Sequence, residues 1–368
     1  MMIIFICLVN IMCTNEGGDN VPKTNSDRLN EFVHSKSVQI INLDNGPTTK
    51  LTVSPNEVIY HTETKLNNDS LTISQIDDFT YFSDGYHIYD PFQNLILVID
   101  SSGSFQAIVG REGKGPGEYL YVTSIRSNSD ILYVADANNA RINRYDYKLN
   151  RLDALQPFIS NPTTSKIDLN NSIMLSGNSE SAGFNPKKES SGLITITNIE
   201  DIQDTLGTIL PRIIPPGYQP AVFNQVSFTL NQNNQIAAAY RPLPWIFIFD
   251  ENQSLVKVIV LEYSVFNEMD LPELELFLPK GNKGYGGAIP INDFELLNNG
   301  DILISIRDVL FYLKKNRDNN YSFQGKYVFN VSESDTSIRI LNLEESQNGS
   351  IVGSNWDYLF EFKLPDKE

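Results

Sequence analysis

The side chains able to carry chemistry are few, and their types exclude several classes of site. The chain has three histidines, His34, His61 and His87, and its two cysteines are Cys7 and Cys13. The body of the protein therefore offers no disulfide, no Cys-ligated zinc and no cysteine nucleophile. A Ser-His-Asp hydrolase is disfavoured by the same shortage of histidine and by the lack of a G-x-S-x-G segment.

A charged loop at 108–119 is the first candidate binding element. Arg111, Lys114 and Glu118 surround the turn Gly115-Pro116-Gly117, and arginine and lysine provide several hydrogen-bond donors to a ligand. The alternative is structural. Gly-Pro-Gly requires a special turn geometry, and Glu118 then accepts hydrogen bonds from loop amides.

A second candidate set combines arginine with aromatic side chains: Arg241, Trp245, Tyr285, Arg307 and Trp356. Such groups hold a glycan or a peptide by ring stacking and forked hydrogen bonds. Both tryptophans also stand beside predicted strands, so packing between sheets is an open alternative for them.

The elements that position these residues form a repeat. Residues 88–100 and 134–146 superimpose without a gap, and each is two apolar strands that end in aspartate. Turns rich in Asn, Gly, Ser and Asp precede apolar strands at 83–85, 127–130, 170–172, 231–234, 298–301 and 347–350. No apolar pattern of helical period runs for three turns. The sequence therefore predicts an all-β fold, a six-bladed β-propeller spanning 38–368 as one domain.

Ring closure needs a strand from outside the last unit. That unit supplies only three predicted strands, within 337–364, whereas a propeller blade has four. The strand pattern at 57–62 precedes the first blade and has no other assignment. We predict that this N-terminal strand is the outer strand of the last blade and closes the ring.

Blade connectivity separates two faces of the predicted ring. The Asn-rich turns join the first and second strands of each blade and lie on one face. The long connections at 176–191 and 264–288 lie on the other face, together with the two sets of candidate residues. Insertions on one face of a repeat protein often mark its binding face, so we predict that a ligand binds this long-loop face.

The segment 110–119, Gly-Arg-Glu-Gly-Lys-Gly-Pro-Gly-Glu-Tyr, resembles the signature loop of the six-bladed β-propeller lipoproteins of Bacteroidota, relatives of the NHL-repeat propellers. Further similarity lies at 71–76 and 131–146, within a well-matched region of roughly 51–150. The resemblance implies a secreted or lipid-anchored propeller, and it implies no particular activity.

The N terminus predicts export. Residues 1–12 form an uncharged apolar run before Cys13, and a polar segment follows at 14–37. A bilayer span takes about 20 residues, so the shorter run fits the apolar region of a secretory signal. We expect a lipoprotein leader at 1–13 with lipid on Cys13, and a flexible tether at 14–37. A plain cleaved signal with an incidental cysteine is the alternative.

The charge and the predicted fold favour a binding function. A net charge of −17 argues against nucleic acid, whose binders need a basic surface. We expect a binding or scaffold propeller in the cell envelope, periplasmic or anchored at the outer membrane. Its predicted partner is a glycan, a peptide or an envelope protein, and its only membrane contact is an N-terminal lipid anchor. No cofactor is expected for this function.

Two other functions stay open. A calcium-dependent hydrolase or lactonase would use carboxylate ligands near the axis, with Glu118, Asp136, Asp308 and Asp357 as the candidates. A purely structural subunit of an envelope complex is the other alternative. Asp90 and Asp136 occupy matching blade positions and are expected to cap turns rather than to bind a ligand.

The lipid anchor is tested by Cys13→Ser, which removes the thiol that would carry the lipid. In its own host the wild-type protein should fractionate with membranes and the variant with soluble envelope proteins, as followed by immunoblotting. Cys7→Ser is the matched control and should fractionate like the wild type. A wild-type protein that is soluble in the cytoplasm would contradict the predicted signal.

Overall fold

A computed structural model shows an all-β, six-bladed β-propeller, as predicted. It describes residues 37–54, 56–64, 72–155, 166–177, 192–202, 204–211, 225–241, 244–264, 291–331, 337–346 and 349–364. Cys13 and Tyr285 lie outside the described residues. Over the described ranges, no helix has the length and apolar character needed to cross a membrane.

The strands follow the chain in blade order. Three strands precede the ring: β1 (Ser37–Asn42), β2 (Thr48–Val53) and β3 (Val58–His61). Blade 1 contains β4 (Asp78–Phe82), β5 (Gly85–Asp90), β6 (Leu95–Asp100) and β7 (Phe105–Val109). Blade 2 contains β8 (Val122–Ser127), β9 (Ile131–Asp136) and β10 (Arg141–Asp146). Blade 3 contains β11 (Ile167–Leu169), β12 (Ile173–Gly177), β13 (Ile194–Asn198) and β14 (Thr205–Ile209).

The second half of the ring repeats this order. Blade 4 contains β15 (Val226–Leu230), β16 (Ile236–Tyr240), β17 (Trp245–Phe249) and β18 (Leu255–Glu262). Blade 5 contains β19 (Ile291–Leu296), β20 (Ile302–Ile306), β21 (Val309–Lys315) and β22 (Tyr321–Val331), with the short β23 (Ser337–Ile338) paired to β22. Blade 6 contains β24 (Asn342–Glu345), β25 (Ile351–Ser354) and β26 (Tyr358–Phe362).

Blade 2 departs from the predicted four strands. Residues 151–155 return along β10 but pair with it only at the isolated bridges Ile142–Leu155 and Tyr145–Arg151. Its regular sheet therefore has three strands, β8 to β10.

The predicted turns join the first and second strands of the blades, and their side chains explain why. Asn128 Oδ1 accepts hydrogen bonds from the backbone N–H groups of Asp130 and Ile131. Asn170 and Asn231 cap their own turns in the same way. These caps stabilise the tight reversal before each second strand.

The core lies between blades rather than within them. Each of six clusters of buried apolar residues draws its members from two neighbouring blades, including Phe79 of blade 1 with Leu359 of blade 6. A blade cannot bury both faces alone, so the ring has to close to complete all of these cores.

The N-terminal strand closes the ring as predicted. β3 pairs antiparallel with β26, with Tyr60 opposite Leu359 and His61 opposite Tyr358. Tyr60 is buried, and the His61 and Tyr358 rings stack with their centroids 4.3 Å apart. Blade 6 thus takes its fourth strand from the N-terminal part of the described residues.

Two further outer strands come from the same segment and were not predicted. β1 pairs parallel with β18 on blade 4, and β2 pairs parallel with β22 on blade 5. Residues 37–61, hereafter the N-terminal strap, therefore cover the outer edges of three consecutive blades. Ile41, Leu43 and Val53 of the strap are buried in the cores between blades 4 and 5 and between blades 5 and 6.

Truncations test the strap. Deleting 1–36 leaves all the described strands in place, so we expect the melting temperature to match that of the full chain. Deleting 1–54 removes the buried side chains of Ile41, Leu43 and Val53, each of which contributes about 1.5–3 kcal/mol, so the free energy of unfolding should fall by several kcal/mol. Deleting 1–66 also opens the ring and should abolish soluble monomer in size-exclusion chromatography. Equal melting temperatures for the first and third truncations would refute closure by β3.

Candidate functional site

A repeated polar pattern occupies the innermost strand of every blade. Two polar residues are separated by one residue, so both point to the same side of the strand. These axial pairs are Asp78/Thr80, Ser124/Arg126, Lys166/Asp168, Ser227/Thr229, Asp293/Glu295 and Asn342/Glu344. The residue within each pair is apolar and buried between blades: Phe79, Ile125, Ile167, Phe228, Phe294 and Leu343. The inner strands thus face the propeller axis with polar groups.

The axial pairs connect neighbouring blades through the backbone. An innermost strand is the inner edge of its blade, so the N–H groups on its axis side have no strand to pair with. The Ile125 N–H donates to Asp78 Oδ2 at 2.9 Å, and the Leu343 N–H donates to Asp293 Oδ2 at 3.0 Å. The same contact joins blades 2 and 3 (Ile167 to Ser124), blades 3 and 4 (Leu230 to Asp168), and blades 6 and 1 (Tyr81 to Glu344). Between blades 4 and 5 the contact is between side chains, from Thr229 Oγ1 to Glu295 Oε2 at 2.9 Å.

Arg126 is held by two carboxylates of the axis. Its Nη1 donates to both oxygens of Asp78 at 3.0 and 2.9 Å, and its Nε lies 3.5 Å from Asp168 Oδ1. Burial acts to lower the pKa of Arg126, but the charges of Asp78, Asp168 and Glu344 outweigh it and raise that pKa. Arg126 is therefore a fixed cation that is already paired.

Lys166 is the second cation of the axis, and it too has a carboxylate partner. Its Nζ lies 3.3 Å from Oδ1 of Asp293. The buried Ser227 hydroxyl donates to the same oxygen at 3.3 Å. Asp293 therefore joins blade 5 to Lys166 of blade 3, to Ser227 of blade 4 and to blade 6.

Three carboxyl groups of the axis have raised pKa values. Burial raises the pKa of Glu344 to about 7, against the opposing effects of Arg126 and the Tyr81 N–H. Burial, with Asp168 and Asp293 close by, raises the pKa of Glu295 well above its usual range. Burial also raises the pKa of Asp168, although Arg126 opposes the shift.

A cavity of about 90 Å³ lies among these groups. Its walls include Arg126, Asp168, Glu295 and Glu344, and it reaches the Asn-rich turns at Asn231 and Asn298. Oε2 of Glu344 is shielded from solvent and has no hydrogen-bond partner. A buried oxygen without a donor is unfavourable by about 1–3 kcal/mol, so Glu344 is held at the axis at a cost to stability.

The side chains of the predicted loop at 108–119 mainly contact other residues of the same loop. Glu118 lies 2.7 Å from Arg111 Nη2 and accepts a hydrogen bond from the Gly115 N–H at 2.7 Å. These two contacts, the amide first, lower the pKa of Glu118. A Cβ on Gly113, which has a φ of +147°, would lie 2.2 Å from the Glu118 carboxylate. Lys114 is exposed, and its carbonyl accepts from Arg141.

Of the second predicted set, two described residues lie against the ring itself. Arg241 donates to the carbonyls of Ile291 and Asn292 at 3.2 and 3.0 Å, and burial lowers its pKa. Trp245 packs against the core between blades 3 and 4, and its Nε1 is buried without a partner.

The remaining described residues of the set are exposed on the long-loop face. Arg307 lies in the β20–β21 turn at a φ of +52°, and Trp356 is 56% exposed in the β25–β26 turn. Their ligand-binding role, like that of the loop at 108–119 and of Arg241 and Trp245, stays a prediction.

The aspartates that end the second strands act within the fold. Asp90 accepts hydrogen bonds from the N–H groups of Ser74, Phe92 and Gln93. Asp136 accepts from the N–H groups of Leu120 and Tyr121. Asp90 therefore caps its turn, as expected, whereas Asp136 binds the crossover before its blade and makes no side-chain cap to the helical turn that follows it. Across the described ranges, no three His, Cys, Asp or Glu side chains converge in a geometry that fits a metal ion.

The axial pairs are the site residues that sequence reasoning missed. A usable signal exists: each innermost strand ends at one of the predicted polar turns, and one to five residues before that turn the chain carries polar side chains at alternate positions. The same alternation is typical of any strand with one wet face, so it becomes specific only once the blade order is known.

Comparisons with known proteins agree with this architecture. The family DUF5128, described as a 6-bladed beta-propeller, matches residues 28–254. No curated protein matches the chain.

Solved structures with a similar fold include a putative exported protein from Bacteroides fragilis, at 13% identity and a TM-score of 0.53, over 89% of this chain and 100% of that chain. Another is a member of the DUF4221 family from Bacteroides vulgatus, at 10% identity and a TM-score of 0.50, over 83% of this chain and 98% of that chain.

The raised pKa of Glu344 predicts a pH dependence of stability. The pKa is about 7 in the folded state against an ordinary value of 4.5. Because the pKa is higher in the folded state, the protonated carboxyl group stabilises the fold. This stabilisation is fully present below the pKa of the unfolded chain and is lost as pH rises through the pKa of the folded protein, here between about pH 4.5 and 7. The loss is at most roughly 3 kcal/mol at 1.36 kcal/mol per unit, and partial solvent access reduces it.

Urea unfolding at pH 5 and pH 8 measures this loss. Glu344→Gln keeps an acceptor for the Tyr81 N–H but cannot ionise, so it should lose about 1–3 kcal/mol less than the wild type between the two pH values. Glu251→Gln changes an exposed carboxylate in the β17–β18 turn and should behave like the wild type. Parallel pH profiles for wild type and Glu344→Gln would refute the assignment.

Proposed function

Because the chain belongs to the DUF5128 family of six-bladed β-propellers, we propose that it is an extracytoplasmic binding protein whose ligand enters the axial cavity. The observation that carries the proposal is the buried, unpartnered Oε2 of Glu344 in the wall of that cavity. Ligand pockets of this kind combine an enclosing shape with a few convergent polar groups.

The position of the cavity also supports binding. It lies at the axis, where side chains from several blades meet, including Thr80 of blade 1, Asp168 of blade 3 and Glu295 of blade 5. Each of these side chains is on a strand rather than on a flexible loop, so its position is fixed before a ligand arrives. A preorganised site loses less conformational entropy when it binds.

The location and the partner class are part of the proposal. The apolar leader before Cys13 supports export, and the fold is similar to that of a putative exported protein. The ligand is a glycan, a peptide or an envelope protein that presents a polar group to the cavity. The long-loop face, with Arg111, Lys114 and Trp356, is the competing position for the same ligand.

A ligand screen with paired variants separates the two positions. Glycans, peptides and envelope extracts are tested for a rise in melting temperature, since a ligand at 100 times its Kd adds about 2.7 kcal/mol of stability. Hits on the wild type should be lost with Glu295→Gln/Glu344→Gln and kept with Arg111→Ala/Lys114→Ala.

The reverse pattern would place the ligand on the long-loop face and overturn the axial site. The absence of any hit in all three libraries would count against a binding function altogether. Both double variants are first checked by urea unfolding, so that a lost hit is not mistaken for a lost fold.

A further inference from the structure

Carboxylates outnumber cations among the described side chains of the axis. The described carboxylates there are Asp78, Asp168, Asp293, Glu295 and Glu344, and the described cations are Arg126 and Lys166. Arg126 pairs with Asp78 and Asp168, and Lys166 pairs with Asp293. Glu344 Oε2 is left as a buried acceptor with no donor. A ligand that completes this site has to donate hydrogen bonds and carry positive charge.

Resting on the function proposed above, we propose that the axial cavity binds the ammonium group of a peptide lysine side chain. An ammonium has three N–H donors and no acceptor, which matches an acceptor-rich pocket. A hydrogen bond from an ammonium group to a carboxylate is charge-assisted, and such bonds are among the strongest in proteins.

The size and the rim of the cavity favour a lysine over other cations. A volume of about 90 Å³ between the inner strands admits a linear chain end-on. A metal ion is disfavoured because, among the described residues, no three potential ligands converge. The wall of the cavity also includes Gln232, whose side-chain amide has the donor and acceptor groups that pair with a peptide backbone.

Binding of a cation is coupled to release of protons. Charged groups from four other blades face Glu344. They are Asp78 on β4, Arg126 on β8, Lys166 just before β11, Asp168 on β11, and Asp293 and Glu295 on β19. In the free protein burial holds Glu344 partly protonated near neutral pH. An ammonium in the cavity favours the ionised form, so affinity rises with pH until the amine itself deprotonates near pH 10.

Calorimetry with a matched pair of probes tests the proposal. N-acetyl-Ala-Lys-Ala-amide should bind the full-length protein at least tenfold more tightly at pH 8 than at pH 5.5. The neutral analogue with norleucine in place of lysine should bind at least thirtyfold more weakly at pH 8. Glu344→Gln should weaken the lysine peptide at least tenfold, whereas Glu251→Gln should leave its affinity unchanged.

Each alternative outcome has a separate meaning. Binding of glucosamine without binding of the lysine peptide would overturn the peptide assignment in favour of an amino sugar. Binding of calcium chloride with displacement of the peptide would overturn the ammonium assignment in favour of a metal. If the lysine peptide fails while hits in the ligand screen still require Glu295 and Glu344, the ammonium proposal is wrong and the axial site stands. If both fail, the axial site itself is wrong.

Discussion

The inner edge of each blade is the constraint on which the rest of the molecule depends. Six innermost strands face a common axis, and none has a neighbouring strand on that side to accept its N–H groups. At five of the six junctions a side chain of the preceding blade accepts such an N–H group, as Asp78 does for Ile125 and Glu344 does for Tyr81. The same contacts fix the angle between blades, and they bring several carboxylates into one desolvated space.

Closure of the ring makes these axial contacts possible, because the contact from blade 6 to blade 1 needs both blades in place. The N-terminal strap achieves this from the outside. β3 completes blade 6, and β1 and β2 extend blades 4 and 5 in parallel. The outer rim and the axis therefore depend on each other, since apolar cores such as the one holding Tyr60 and Phe79 lie between them.

Local signals in the sequence were enough to predict the ring. Asn128 and Asn170 cap their own turns, so the turns are visible without knowledge of distant contacts. The closing strand was predictable because one blade lacked a partner. β1 was not, because Val38 and Ile40 are 46% and 61% exposed while Ile41 is buried, so its apolar pattern does not report which strand it joins.

The site was harder to predict, because residue type does not reveal what a side chain contacts. Arg241 has the guanidinium expected of a ligand-binding residue, but its N–H groups donate hydrogen bonds to the carbonyls of Ile291 and Asn292. In the sequence, Asp293 and Glu295 look like the polar face of an ordinary strand. Their importance appears only when six strands are placed around one axis.

Glu344 has more hydrogen-bonding capacity than its contacts in the fold use, and this is the reason for proposing a ligand at the axis. Between blades 2 and 3, the hydroxyl of Ser124 accepts the Ile167 N–H at 2.8 Å and meets the same structural need without charge. Glu344 fills this role with a carboxylate that keeps a second oxygen buried and unpartnered. A buried group of this kind is destabilising, and proteins accept such destabilisation chiefly at sites that bind or react. Ser124 shows that a neutral acceptor can meet the same backbone need, so the second oxygen of Glu344 is free for the ligand that we propose.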